Sequence, residues 1–267
     1  MNNNKTEVPK QFQPHIRVDY PPNNDLIFEE WFHKEFIGND YEREYLPIFW
    51  TSYYVNYDYG NDKIRLKLLQ DYIDGLDTSK KYFTIVQYDD GVLNDLSKID
   101  CKVFGMGGGK YDYALPLLTK PHPYSFTPKR DVFCNFMGSL THQIRKDIIP
   151  VAQRAGYLVS TSQMPIQEYC LNLSRSIFTL APRGYGLSSF RIMEAIQYGS
   201  IPVYISDKFM IPYGKDFNYG VLIEPKDISR IDEILKGVNI EDKRKEINNH
   251  LDYFTYKGCM EFILSNI

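Results

Sequence analysis

No apolar run in this 267-residue chain approaches the ~20 residues that a helix needs to span a bilayer. The polar opening Met1–Pro14 (MNNNKTEVPKQFQP) does not resemble a secretory leader and reads as poorly ordered. The expected location is therefore the cytoplasm, with no membrane anchor. Cysteine is scarce: Cys101, Cys134, Cys170 and Cys259 stand apart with no C-x-x-C spacing. That excludes a disulfide frame and a zinc-ribbon site, and leaves buried thiols in a reducing compartment. Excess positive charge is missing too. A formal net charge of −3 and a pI near 6.0 argue against a nucleic-acid partner.

Several catalytic signatures fail on inspection. Gly105–Lys110 (GMGGGK) has Tyr111 where a phosphate-binding P-loop needs Ser or Thr, and it also fails G-x-G-x-x-G. It reads as a flexible loop at a cleft. Neither H-E-x-x-H nor a Ser-His-Asp pattern stands out, and Asp89-Asp90 are adjacent rather than spaced as Asp-x-Asp. No metal site is expected.

Aromatic residues are abundant, with 22 Tyr and 16 Phe, a composition that suits carbohydrate clefts as well as ordinary cores. Strand-like runs alternate with helical patterns along the whole chain. Tyr45–Trp50 and Tyr82–Gln87 read as strands, the second ending at Tyr88-Asp89-Asp90-Gly91. Lys63–Leu76 has apolar residues at helical spacing, and Lys102–Phe104 is a strand leading into the glycine loop. Pro116, Pro121, Pro123 and Pro128 make Leu115–Lys129 an extended linker, which sets a boundary between residues 1–128 and 129–267. Beyond it the pattern restarts with a strand (Val132–Met137), a Gly138-Ser139-Leu140-Thr141 loop, a helix (about His142–Ala155) and a strand (Tyr157–Ser160). Two more amphipathic helices are expected at Asp227–Leu235 and Asp242–Phe254, the last able to pack back on the N-terminal domain. Alternation of this kind predicts an α/β protein with parallel sheets in two Rossmann-like domains and a ligand cleft between them.

The densest signal is Phe178–Ala195 (FTLAPRGYGLSSFRIMEA). An apolar strand breaks at Pro182, a glycine- and serine-rich loop follows, and Arg191, Glu194 and Ala195 open an apolar helix. Ile201–Ile205 is the next buried strand. Free loop amides, a helix N-terminus and an arginine form an anion site. A carboxylate one turn further in would repel phosphate but accept hydrogen bonds from ribose hydroxyls. The pair fits a nucleotide-sugar better than a bare phosphate. The plainer alternative is a structural turn with Arg191 and Glu194 paired to each other.

Phe178–Ile205 closely resembles the signature of exostosin-like glycosyltransferases, through Pro182, Arg183, Gly184, Ser189, Arg191, Glu194, Ala195, Ile201, Pro202 and Val203. Val132–Arg145 resembles the family's strand-loop, whose helix supplies a second arginine. Asp112–Leu117 and Tyr82–Gly91 resemble upstream strands more loosely. Tyr88 stands where many members have histidine, and the membrane anchor of Golgi members is missing. The chain resembles the compact versions carried by some large algal viruses and bacteria.

The resemblance implies a GT-B fold, with residues 1–128 as the acceptor-side domain and 129–267 as the nucleotide-sugar-binding domain, a UDP-sugar donor, a glycan acceptor, inversion at the anomeric carbon and no metal. Xylose, galactose, glucuronic acid and arabinose are all donor sugars among relatives. The expected donor site comprises Gly138, Arg145, Arg183, Gly184, Ser188, Ser189, Arg191 and Glu194. In it Arg145, Arg191 and the loop amides would meet the diphosphate, and Glu194 the ribose. Arg183 would touch phosphate or brace the loop. Asp89 is the expected base and Asp90 the next choice, unless one of them caps a helix. The histidines show no partner pattern. Two rival readings are a catalytically inactive nucleotide- or glycan-binding domain of the same fold, and a nucleotide-sugar epimerase, against which the missing dinucleotide fingerprint argues.

Overall fold

The computed structural model describes residues 4–17 and 26–267. Residues 1–3 of the polar opening lie outside that range. The remainder of the opening is not the loose tail expected of it. Lys5 forms a parallel bridge to Tyr45, and Phe12 is 1% exposed within the core. Phe12, with half-buried Val8 packed on the same core, docks a polar segment whose backbone donors also find partners: Thr6 N donates to Tyr45 O at 2.9 Å.

The chain divides into two compact units, residues 1–116 with 212–214 and 256–267, and residues 117–211 with 215–255. The division falls after Pro116, where the sequence reading set it at 128/129. Leu117 and Leu118 are buried, so the proline-rich stretch begins as packed chain of the second unit.

Unit 1 is built on a parallel sheet of β1 (Glu44–Tyr45), β2 (Lys81–Val86), β3 (Asp100–Gly105) and β4 (Tyr113–Ala114), in that spatial order. Its helices are α1 (Phe28–Glu35), α2 (Trp50–Asn56), α3 (Lys63–Asp74) and the last helix of the chain, Tyr256–Leu264. The Asp62 carboxylate caps α3, accepting from Ile64 N and Arg65 N at 3.1 and 3.0 Å. The Tyr45–Trp50 run is not one strand. Leu46 N still reaches Phe83 O at 2.8 Å, but Pro47 has no N–H to continue the ladder, and the chain turns into α2. Helix α1 lies outside the elements expected, and the final helix lies beyond the expected Asp242–Phe254. They meet through Phe28 and Tyr256, whose rings lie 5.2 Å apart, edge to face.

Unit 2 runs β5 (Val132–Met137), α4 (Gln143–Arg154), β6 (Leu158–Ser160), α5 (Ile166–Arg175), β7 (Ser176–Pro182), α6 (Phe190–Gln197), β8 (Ile201–Ile205), β9 (Val221–Ile223), α7 (Ile231–Lys236) and α8 (Ile240–His250). The five strands are parallel in the order β6-β5-β7-β8-β9. This is a doubly wound arrangement. Connections from β5 and β7 leave toward opposite sides, so a crevice opens beyond their C-terminal ends. Both units are α/β with parallel sheets, as expected of Rossmann-like domains. Among the described residues, no helix is long and apolar enough to cross a membrane.

Candidate functional site

The crevice at the β5/β7 switch point is where the sequence motif lies. Arg191, in the first turn of α6, donates from Nε to Met137 O at 2.6 Å, and its guanidinium lies over the Phe136 ring, 5.7 Å from the centroid. It occupies the space that a side chain at residue 138 would need: a Cβ on Gly138 would come 1.5 Å from an Arg191 terminal nitrogen. Glycine at 138 leaves that space to the guanidinium, and its φ of 155 also favours glycine.

Arg145, near the start of α4, is 6% exposed and binds three loop carbonyls: Arg183 O at 2.9 Å, Ser139 O at 3.0 Å and Pro182 O at 3.3 Å. A Cβ on Gly184 would lie 3.0 Å from its terminal nitrogen. Arg145 thus ties the loop after β5 to the loop after β7, and the cation remains at the crevice.

Arg183 braces its own loop. Its guanidinium pairs with Asp207 at 2.6 Å and donates to Gly186 O and Tyr185 O at 3.2 and 3.1 Å. Of the two roles foreseen for it, bracing is the one its contacts display. Ser188 and Ser189 are 7% and 4% exposed. Ser189 is the N-cap of α6, yet its hydroxyl accepts no cap bond. Ser189 Oγ and Thr141 Oγ1 are buried without a hydrogen-bond partner in the protein. Such groups are costly unless something else satisfies them. A phosphate or sugar oxygen at this crevice would do so.

Glu194 is not paired with Arg191 by a hydrogen bond. Tyr169 OH donates to Glu194 Oε2 at 2.6 Å, and His122 Nε2 lies 3.6 Å from Oε1. Burial pushes the carboxyl up, but His122, Arg191 and Tyr169 together hold it below its ordinary value. The carboxylate is therefore charged and aimed by two side chains that the sequence reading missed. His122 sits in the proline-rich stretch and Tyr169 on α5, so no local spacing marks either. His142 is also accounted for, as the N-cap of α4, accepting from Ile144 N at 3.2 Å.

Asp89 and Asp90 belong to unit 1, in the turn after β2 that Gly91 N closes on Tyr88 O at 3.0 Å. Asp89 is half-buried and Asp90 exposed. Neither caps a helix, because the chain runs from this turn through irregular backbone to β3. The glycine loop after β3 is not the flexible loop expected. Met106, Gly107 and Gly108 are buried. A Cβ on Gly107 would meet Tyr88 O at 2.5 Å, and one on Gly109 would meet Asp90 O at 2.1 Å. The loop lies backbone against backbone on the 88–91 turn, which only glycine permits. Gly105–Gly109 is thus a bed for the aspartate turn. Among the described residues, no cluster of three His, Cys, Asp or Glu side chains could hold a metal ion.

Residues 103–238, just over half of the chain, match the Exostosin GT47 domain. The protein belongs to that family. Curated relatives include a probable glucuronosyltransferase of Oryza sativa subsp. japonica, 34% identical over 87 residues, which cover 32% of this chain and 20% of the relative. An exostosin-1 homologue of Caenorhabditis elegans is 30% identical over 93 residues, covering 33% and 24%. A probable β-1,4-xylosyltransferase of Arabidopsis thaliana is 34% identical over 76 residues, covering 27% and 18%. The matched segments thus span about a fifth of these relatives. Similar solved structures include TarM, at 8% identity and TM-score 0.44, covering 75% of this chain and 53% of that one. AviGT4, a glycosyltransferase involved in avilamycin A biosynthesis, is 13% identical with TM-score 0.41, covering 75% and 76%.

Proposed function

We propose that this protein is an inverting glycosyltransferase that moves a sugar from a UDP-sugar to a hydroxyl of a glycan acceptor. The observation that carries this reading is the crevice of unit 2. Two arginines are fixed on loop carbonyls beside Gly138 and Gly184, and a charged carboxylate held by Tyr169 lies one helical turn from Arg191.

In the reaction the acceptor oxygen attacks the anomeric carbon, and the bond from that carbon to the diphosphate breaks. The acceptor proton passes to a carboxylate, and the electron pair leaves on the diphosphate. Arg191, Arg145 and the amides of the 186–189 loop stabilise that departing charge, without a metal ion in this reading. Glu194 takes the ribose hydroxyls, while Arg183 keeps the loop in shape. Asp89 is the base, with Asp90 beside it; Asp89 is the less exposed of the two. Xylose and glucuronic acid are the donor sugars to try first, given the names of the relatives.

The test measures UDP binding and UDP release separately, with EDTA present. Glu194→Ala should remove most UDP affinity, and Asp89→Asn should keep UDP affinity while lowering transfer by on the order of 10²-fold or more. Unchanged UDP affinity in the first variant would sink the ribose assignment. UDP-sugar binding with no UDP released to any acceptor would instead support an inactive binding domain.

A further inference from the structure

The backbone of unit 1 is most unusual just after α2. Asp58 (φ 54), Tyr59 (φ 51) and Gly60 (φ 78) follow one another in the left-handed region. Glycine is at ease there and aspartate is tolerated, but a bulky aromatic residue is a genuine outlier. Burial of the ring does not compensate, because Tyr59 is 60% exposed.

The turn is held by other groups. Asn61 donates to Asp58 O from both its backbone N and its Nδ2, each at 2.9 Å. Leu93 closes over Gly60, where an added Cβ would meet its Cδ1 at 2.3 Å. Tyr88 OH donates to Tyr59 O at 2.9 Å. Tyr88 is itself anchored, 8% exposed with its ring 5.1 Å from that of Tyr54, and it directly precedes Asp89. Burial raises the Tyr88 hydroxyl to about 12, with Asp90, Asp89 and Tyr59 adding to the effect. The Tyr59 phenol and both aspartates are thus near enough to act on the Tyr88 hydroxyl.

Backbone strain of this kind persists where a fold over-determines it, and it gathers at ligand clamps. We propose that Tyr59 is the platform on which the acceptor sugar stacks, its ring held out beside the aspartate turn by the strained 58–60 backbone. The ligand is a pyranose unit of a glycan, whose C–H face suits an exposed phenol ring. The exposed carboxylates of Asp58 and Asp90 can accept from its hydroxyls. The assignment rests on the reading of unit 1 as the acceptor side.

The deciding variant is Tyr59→Gly, which removes the ring and relaxes the backbone. UDP-loaded protein is titrated with xylohexaose, cellohexaose and a heparosan hexasaccharide, so turnover is not needed. Tyr59→Gly should melt at the same or a higher temperature, keep its UDP affinity and lose about tenfold in oligosaccharide affinity. Tyr59→Phe and Tyr59→Trp should retain binding. A panel on which wild type and Tyr59→Gly do not differ overturns the proposal, whether both bind or neither does. A lowered melting temperature in Tyr59→Gly also overturns it, since the ring would then be packing the fold. Loss of turnover in Asp89→Asn is read separately, so failure of the base assignment leaves this result interpretable.

Discussion

Glu29 should make the first unit less stable as the solution becomes alkaline. The side chain, on α1, is 1% exposed. It accepts from Thr51 Oγ1 at 2.5 Å, Gln87 N at 2.6 Å and Thr51 N at 3.1 Å. Burial outweighs these hydrogen bonds and pushes the carboxyl from 4.5 to about 8. The folded chain therefore keeps a proton that the unfolded chain has released, and stability falls with rising pH across that window. His33 acts in the opposite sense at the lower end. Burial and Lys5 lower its imidazole from 6.5 to about 4, so folding gains as the unfolded chain loses that proton. The two effects oppose each other up to pH 6.5. Between 6.5 and about 8 Glu29 acts alone. One proton over that interval is worth about 1.4 kcal/mol per pH unit, hence about 2 kcal/mol of lost stability. The chain has two tryptophans, Trp31 and Trp50, both in unit 1, and Trp50 neighbours Thr51. Urea unfolding followed by their fluorescence reads this unit directly. The wild type should lose the 2 kcal/mol between pH 6.5 and 8, and Glu29→Gln should be flat. Parallel slopes in the two proteins would refute the reasoning.

Arg145→Ala leaves three loop carbonyls without their donor in a nearly dry site, and unit 2 should lose about 3 kcal/mol in chemical denaturation. Lysine at 145 should not restore it, because one ammonium cannot reproduce the fork that serves two loops. Gly138→Ala would strain a backbone held at φ 155 and push the Arg191 guanidinium off Met137 O, so unit 2 stability and UDP affinity should both fall, as denaturation and calorimetry would register. Tyr169→Phe removes the 2.6 Å bond to Glu194, and UDP affinity should fall roughly threefold to tenfold, consistent with one hydrogen bond to a charged group. An unchanged value would show that His122 alone orients the carboxylate.

Much of unit 2 was legible because its signals are local. Runs such as Val132–Met137 and Ile201–Ile205 are continuous and apolar, as strands buried on both faces must be, and both appear with the bounds expected. The turn from β7 to α6 was legible for the same reason, since strand, loop and helix start follow one another directly. What escaped notice is what distant residues supply. Helix α2 has no capping side chain of its own, so its start could not be read from Tyr45–Trp50. Thr51 N is satisfied by Glu29, reaching from α1. Likewise Glu194 is legible as a carboxylate on α6, but Tyr169 and His122, which aim it, come from other segments.

The glycine loop after β3 shows how such a signal can be misread. Glycines in sequence suggest freedom, and GMGGGK reads as a flexible loop on that ground. The same missing side chains permit close backbone approach, and here that second property prevails. Met106 N donates to Val86 O at 2.9 Å, carrying the β2–β3 pairing past the strand end. The carbonyls of Gln87, Tyr88 and Asp90 then fill the space that side chains at 107 and 109 would occupy. A Gly107→Ala substitution would have to move backbone, and the backbone that must move carries Asp89. Glycine here restricts the aspartate turn, and the sequence alone could not reveal it because the contact lies between strands rather than along one.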